Sequence, residues 1–442
     1  MTVKTKKNRF IIFLLMLYTF VVLYTPNFSS NPYINYMLPF IYMIIGLIFL
    51  KSPEKNRKIR GIFYFVAILI AFWILAAIFF MIRALIAGVE LTDIINLRIV
   101  QTANIIATII SVCKIERQLT YWNYNLRDKM IFLLNVTMIQ AAIVILMLLS
   151  SNLRTILLQH FYQYGNGNEF TMANRVYGIM LNYTFSGAIF HGFIASIALT
   201  FGVIYDKKIY LYIPFLILMI VLNGRTGMLI FIMGVIINIG YLVIRSKYFT
   251  KIISAVIILS VVVSIALLVI KSIKPATYRF LISGIGDVFD YVINNEEDGN
   301  VEILLGNFEN NINTRTFMLG NGYKIQNSGD IPDGIQFKGE YSDMGYLNDM
   351  YMGGIVYMLL LYIPLLYFIL ANAKEVEFSY DEKTINKIVN IISILMIFIC
   401  NIKGEVFRSG ILIAGVILVK AMIQDKKGDK IDEKSICNNV DL

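Results

Sequence analysis

Apolar runs recur along this chain at lengths near the roughly 20 residues that a helix needs to cross a bilayer core, separated by short polar intervals. Twelve such segments are predicted, near 10–24, 34–50, 61–81, 94–112, 130–149, 182–204, 209–223, 227–244, 252–270, 345–371, 388–401 and 409–424. One interval breaks the rhythm: residues 271–344 are hydrophilic over a length that no other connection approaches. The pattern therefore predicts an all-α polytopic membrane protein. Helices one to nine lie within 1–270, a large extracytoplasmic loop within 271–344, helices ten to twelve within 345–424, and a cytoplasmic tail within 425–442. Inside the loop, the stretch TYRFLISGIGDVFDYVI has apolar residues at helical spacing; it suits either an interfacial helix or a small helix packed on the bundle.

Composition agrees with this. At 58% hydrophobic and 15% charged residues, too little polar surface remains to cover a soluble globule. The first apolar run has no small-residue cleavage site after it and is expected to be a retained anchor. Cys113, Cys400 and Cys437 are too scattered for a disulfide framework, and two histidines do not make a metal site. No cofactor or metal is expected.

An even number of spans puts both termini on one side. The basic clusters at the N-terminus, at 51–60, around Lys114 and Lys129, at Lys207 and Lys208, at 245–247 and in the tail all fall there, which makes that side the cytoplasm. The net charge of +10 is thereby explained by topology, and no nucleic-acid partner is inferred from it. Arginine departs from the rule: eight of the fourteen face outside, against five of the twenty-five lysines. Arginine's fixed fork of donors matches phosphate and carboxylate groups, so an outward excess points to an anionic ligand.

Arg98 lies just inside the outer end of its span and Arg225 in the turn NGRTG after a short apolar run. A charge at such depth needs a partner. Either the side chain snorkels or pairs with a carboxylate such as Glu90, Asp93 or Glu405, or it binds an anionic ligand such as the pyrophosphate of a lipid carrier. Arg175 and Arg315 stand at the outer face, in a loop salt bridge or in the same anion site. Glu340 and Asp343 precede the tenth span. Asp343 suits either a helix N-cap or a group that orients or deprotonates a sugar hydroxyl, and Glu340 either a solvated loop position or the same site. Tyr323 and Tyr346 suit sugar stacking, or else the interfacial aromatic belt or packing within the bundle. Gly320 and Gly322 suggest a tight turn presenting backbone N–H groups. Ionisable residues within the spans gather on the outer side. No Walker A or HExxH sequence occurs.

The order RVYGIMLNYTFSGAIF, NGRTG, a large loop containing RTFMLGNGYK, then SDMGYLNDMYMGGIVYMLLLY resembles the bacterial polysaccharide polymerases of the Wzy type, within the O-antigen ligase/polymerase superfamily. The resemblance covers most of the chain as architecture and a few short stretches as local pattern. It implies a glycosyltransferase at the outer face of the bacterial cytoplasmic membrane that polymerises undecaprenyl-pyrophosphate-linked repeat units into O-antigen or capsular polysaccharide. It implies that Arg175, Arg225 and Arg315 bind the leaving pyrophosphate; beside it, the residues themselves offer Arg98 as a further ligand and Asp343 as the acceptor-orienting or base candidate. NIKGEVFRSG is also similar to the family and adds Lys403, Glu405 and Arg408. A chain-length regulator and a flippase are the partners that the resemblance implies. Ligases of the superfamily carry a loop histidine, which 271–344 lacks; a ligase and a lipid-linked oligosaccharide flippase remain the competing expectations.

Overall fold

The computed structural model describes residues 9–28, 32–51, 60–161, 176, 178–180, 186–243, 249–273, 275, 278–279, 282, 314–322, 345–371, 379–404, 406–408 and 410–424. The described residues are helical with no strand. The helices are α1 (Arg9–Tyr24), α2 (Pro32–Phe49), α3 (Arg60–Ile86), α4 (Leu91–Ile94), α5 (Val100–Tyr121), α6 (Leu126–Leu149), α7 (Ser151–Phe161), α8 (Ser186–Ile204), α9 (Ile213–Asn223), α10 (Arg225–Val243), α11 (Phe249–Ile273), α12 (Thr314–Leu319), α13 (Gly345–Leu370), α14 (Tyr380–Lys403) and α15 (Gly410–Gln424). A π-turn, Ile95–Ile99, joins α4 to α5 without a break. Short 3₁₀ turns cover Lys207–Tyr212 and Val406–Arg408.

Among the described residues five stretches are long and apolar enough to cross a membrane: Ile62–Ile86, Leu126–Leu149, Ser186–Ile204, Gly345–Leu370 and Tyr380–Ile402. Their neighbours are shorter apolar helices. Outward-facing residues are large and apolar, as on α11, where Ile253, Ile257, Val261, Ile265 and Leu268 are exposed at helical spacing. Such a stripe is unfavourable in water and suits lipid.

The bundle is built around α8, in which every residue from Ser186 to Val203 is buried. It packs on α6, α9, α10, α14 and α15. Small residues let it approach α10: a Cβ added to Gly234 would fall 2.0 Å from the Ser196 hydroxyl. Asn238 on α10 then donates to the Ser196 carbonyl at 3.2 Å and accepts from the Thr200 hydroxyl at 2.7 Å. Close backbone approach with interhelical hydrogen bonds is how helices associate where lipid offers no hydrophobic drive.

Helix ends follow local rules. Asn125 caps α6 by accepting from the Asp128 N–H, and Ser379 with Glu382 forms a capping box on α14. In the connection after α8, Asp206 pairs with Arg127. The Arg127 hydrogen bond, then that of the Lys208 N–H, holds the Asp206 carboxyl below its ordinary range.

Candidate functional site

Arg98 is 2% exposed and sits within the π-turn Ile95–Ile99. The wider π geometry re-aims side chains and recurs at functional positions. Its Nη2 donates to Asp349 Oδ1 at 2.7 Å, and Asp349 is itself 0% exposed. Asp349 Oδ2 accepts from the Tyr362 hydroxyl at 2.6 Å, while the Arg98 guanidinium lies 5.6 Å from the centre of the Tyr357 ring. The expected partner of Arg98 was an anionic ligand or one of Glu90, Asp93 and Glu405. The structure gives it a carboxylate, but from α13, 251 residues away in sequence.

The bond between Asp349 and Tyr362 has a geometric consequence. Thirteen residues along a straight α-helix separate two Cα atoms by about 20 Å, too far for these side chains to meet. The chain instead reverses at Gly354, whose φ of 65° and ψ of −165° lie where only glycine is at ease. The apolar pattern predicts one span over 345–371. The structure instead makes Gly345–Gly353 a limb that folds back along the helix continuing to Leu370. The Tyr346 and Tyr362 rings, 5.8 Å apart, confirm the doubling back.

Two further segments close on this limb. From one side, α12 packs on the reversal: a Cβ added to Gly354 would fall 2.5 Å from the Leu319 nitrogen. Arg83 at the end of α3 secures α12 by donating to the carbonyls of Leu319 and Gly320, each at 2.9 Å. Gly320 and Gly322 do form a turn with positive φ. Its N–H groups serve the fold, because Gly320 donates to Thr316 and Asn321 to Tyr351. From the other side, Gly345 abuts the carbonyl of Gly404 and the amide of Asn401, and Asn401 Oδ1 accepts from the Val406 N–H at 3.0 Å. Phe407 packs edge-on against both Tyr362 and Trp73.

The predicted site residues thus divide. Arg98, Tyr346 and the backbones of Lys403 and Arg408 belong to one region around the folded-back limb. Arg315 is exposed on α12, which docks on the same limb. Tyr346 is packed between Tyr362 and Phe398, its hydroxyl donating to the Phe398 carbonyl at 3.3 Å. Arg225 opens α10 and belongs to a second region. There Gly227 lies against the Ala188 carbonyl of α8, and the Val176 N–H donates to the Leu222 oxygen at 3.2 Å. Helix α14 packs on both α10 and α13 and so lies between the two regions. Arg175, Tyr323, Glu340 and Asp343, together with Glu405, lie outside the described residues.

Asp349, Tyr362 and Arg83 are the participants that sequence reasoning missed. Asp349 alone had a signal, a carboxylate inside an apolar run. The expectation that ionisable residues gather on the outer side also needs correction. Lys129 on α6 binds Glu116 of α5 at 2.7 Å, both buried, at the opposite end of α5 from Arg98. Lys420 on α15 is buried with its ammonium on Asn386 and Asn390 at 2.7 and 2.6 Å. Among the described residues no cluster of histidine, cysteine or carboxylates has the makings of a metal site. No protein-family model, no curated protein and no solved structure matches the chain.

Proposed function

We infer that this chain is a membrane glycosyltransferase that polymerises undecaprenyl-pyrophosphate-linked oligosaccharide repeats at the outer face of a bacterial cytoplasmic membrane. In this reading it crosses the bilayer about twelve times, with both termini cytoplasmic and residues 271–344 outside. The observation that carries the reading is the Arg225 turn. A basic residue opens a 19-residue helix inside an apolar bundle, where backbone N–H groups and helix dipole add to its charge. Such a position suits the pyrophosphate of a lipid carrier, and stabilising charge on a leaving group in a partly dry site is a strong lever on rate. Arg98, held by Asp349, is in this reading a structural cation of the neighbouring region. Arg175 remains a pyrophosphate ligand and Asp343 the acceptor-orienting group, while Arg315, on α12 beside the Arg98 region, is left out of this site.

Arg225→Ala is expected to insert and fold as wild type while surface glycan collapses from a ladder to single repeats, read on a glycan gel. A full ladder in that variant would sink the assignment. A second reading, a carrier of lipid-linked oligosaccharide, is favoured by the buried Lys129, Glu116 and Lys420 at the opposite end from Arg98, since alternating access places polar groups in both halves. Purified protein given lipid-linked repeats in detergent separates the two. Ladder formation without a second compartment supports the polymerase, and its absence alongside flipping in vesicles supports the carrier.

A further inference from the structure

At the end of α5 opposite Arg98, three cations meet where α2 and α3 pack on that helix. The end of α2 is tied to α5 by the Lys51 N–H, which donates to Gln118 Oε1 at 2.7 Å, and the Lys51 ammonium lies 5.8 Å from the centre of the Tyr121 ring. Lys114, one turn before Gln118, adjoins the same helix: a Cβ added to Gly46 of α2 would fall 3.8 Å from the Lys114 Cβ. Arg117 covers Phe63 of α3, its guanidinium carbon 3.8 Å from the ring centre. At about 100° per residue, Lys114, Arg117, Gln118 and Tyr121 fall within one arc of α5.

Among the described residues none of these three cations has a carboxylate partner. Acids are near, but other groups take them. Glu116 turns to another face of α5 and accepts from Lys129 and Thr120, while Asp128 and Asp206 pair with Arg127. The Arg117 Nε is buried and has no hydrogen-bond partner. Stacking on Phe63 holds the guanidinium plane, so a preorganised fork of donors is presented with no acceptor from the protein. Buried donors are ordinarily satisfied and like charges repel, so the arrangement is complete only with an anion.

We propose that Lys51, Lys114 and Arg117 form a site for the phosphodiester headgroup of an anionic phospholipid. Arg117 donates to the phosphoryl oxygens from its fixed plane, and the two ammonium groups neutralise the charge from the α2 side. A lipid suits the surroundings better than a free anion. The adjoining ends of α2 and α3 expose Ile44, Ile48, Phe49 and Tyr64, apolar surface on which acyl chains can lie. In the orientation inferred above this is the cytoplasmic leaflet. The site uses none of the transferase residues, so it stands or falls apart from that reading.

The test follows thermal unfolding of the purified full-length protein in neutral detergent with added phosphatidylglycerol, phosphatidylcholine or inorganic phosphate. Phosphatidylglycerol is expected to raise the Tm of wild type by several degrees, since a ligand that binds only the folded state stabilises it, and phosphatidylcholine by much less. Arg117→Leu, which keeps apolar packing on Phe63, is expected to lose most of that difference between the lipids. Lys51→Gln with Lys114→Gln should lose it too, with a lipid-free Tm equal to or above wild type, because no protein carboxylate is stranded. Lys207→Gln with Lys208→Gln removes two exposed lysines from the connection after α8 and should leave the difference intact. Equal shifts from the two lipids in wild type overturn the site, as does an undiminished difference in Arg117→Leu or in the Lys51 and Lys114 variant. An equal loss in the Lys207 and Lys208 control does the same, since it reduces the effect to overall charge. If Arg117→Leu does not fold, the Lys51 and Lys114 variant decides; failure of both to fold without lipid overturns the site, because these cations would then be structural. Inorganic phosphate acting at the same concentration as phosphatidylglycerol overturns the lipid source.

Discussion

Asp349→Ala is expected to lose on the order of 3–5 kcal/mol of stability, read as a large drop in Tm in detergent and a poor yield of monodisperse protein. The reason is the guanidinium it leaves behind. Arg98 is 2% exposed, and removing its carboxylate takes the charge-assisted bond from a buried guanidinium, a far larger loss than the net worth of the pair. The Tyr362 hydroxyl loses its acceptor at the same time. Replacing the network as a whole has the opposite consequence. The triple variant Arg98→Met, Asp349→Leu, Tyr362→Phe removes these three linked polar groups together and is expected to recover much of the loss, because a buried ion pair rarely outperforms apolar packing of similar volume. An Asp349→Ala protein as stable as wild type would mean that Arg98 reaches water or lipid phosphate by another route.

That contrast also shows what can be read from a single chain. Each predicted apolar segment carries a helix, because the cost of exposing backbone or charge in lipid leaves few alternatives and hydropathy reports it directly. Arg98 stood out for the same reason, as a charge where none is cheap. Its partner did not, since Asp349 lies 251 residues away and pairing at that distance depends on how helices dock. The reversal at Gly354 was hidden because the apolar pattern runs on through Met352–Met358, and periodicity does not register a change of direction. The paired glycines at 353 and 354 were the available sign. Lys129 was assigned to an inner basic loop, although the cap at Asn125 starts α6 early enough to place it in the first turn, buried against Glu116. For Tyr346 the alternatives were sugar stacking or a place in the interfacial belt or the packing, and it packs within the bundle.

Gly354→Ala tests the reversal by the sign of its effect. In a continuous 26-residue helix, alanine would be the better residue and would add up to about 1 kcal/mol. In the folded-back limb it is expected to be strongly destabilising for two separate reasons. The backbone conformation at φ 65° and ψ −165° costs a non-glycine residue ~1–3 kcal/mol. The new Cβ would also fall 2.5 Å from the Leu319 nitrogen and 2.5 Å from the Met318 carbonyl carbon, backbone atoms that do not rotate away. The first structure to give way should be α12, held on the reversal and otherwise pinned by Arg83, so tryptic cleavage after exposed Arg315 is expected to accelerate several-fold. Gly240→Ala on α10 provides the control: nothing lies within 4 Å of its added Cβ, and its effect should be neutral or mildly stabilising. Were both alanine variants equally stable, α13 would run straight, the bond between Asp349 and Tyr362 would be impossible, and Arg98 would need its partner elsewhere.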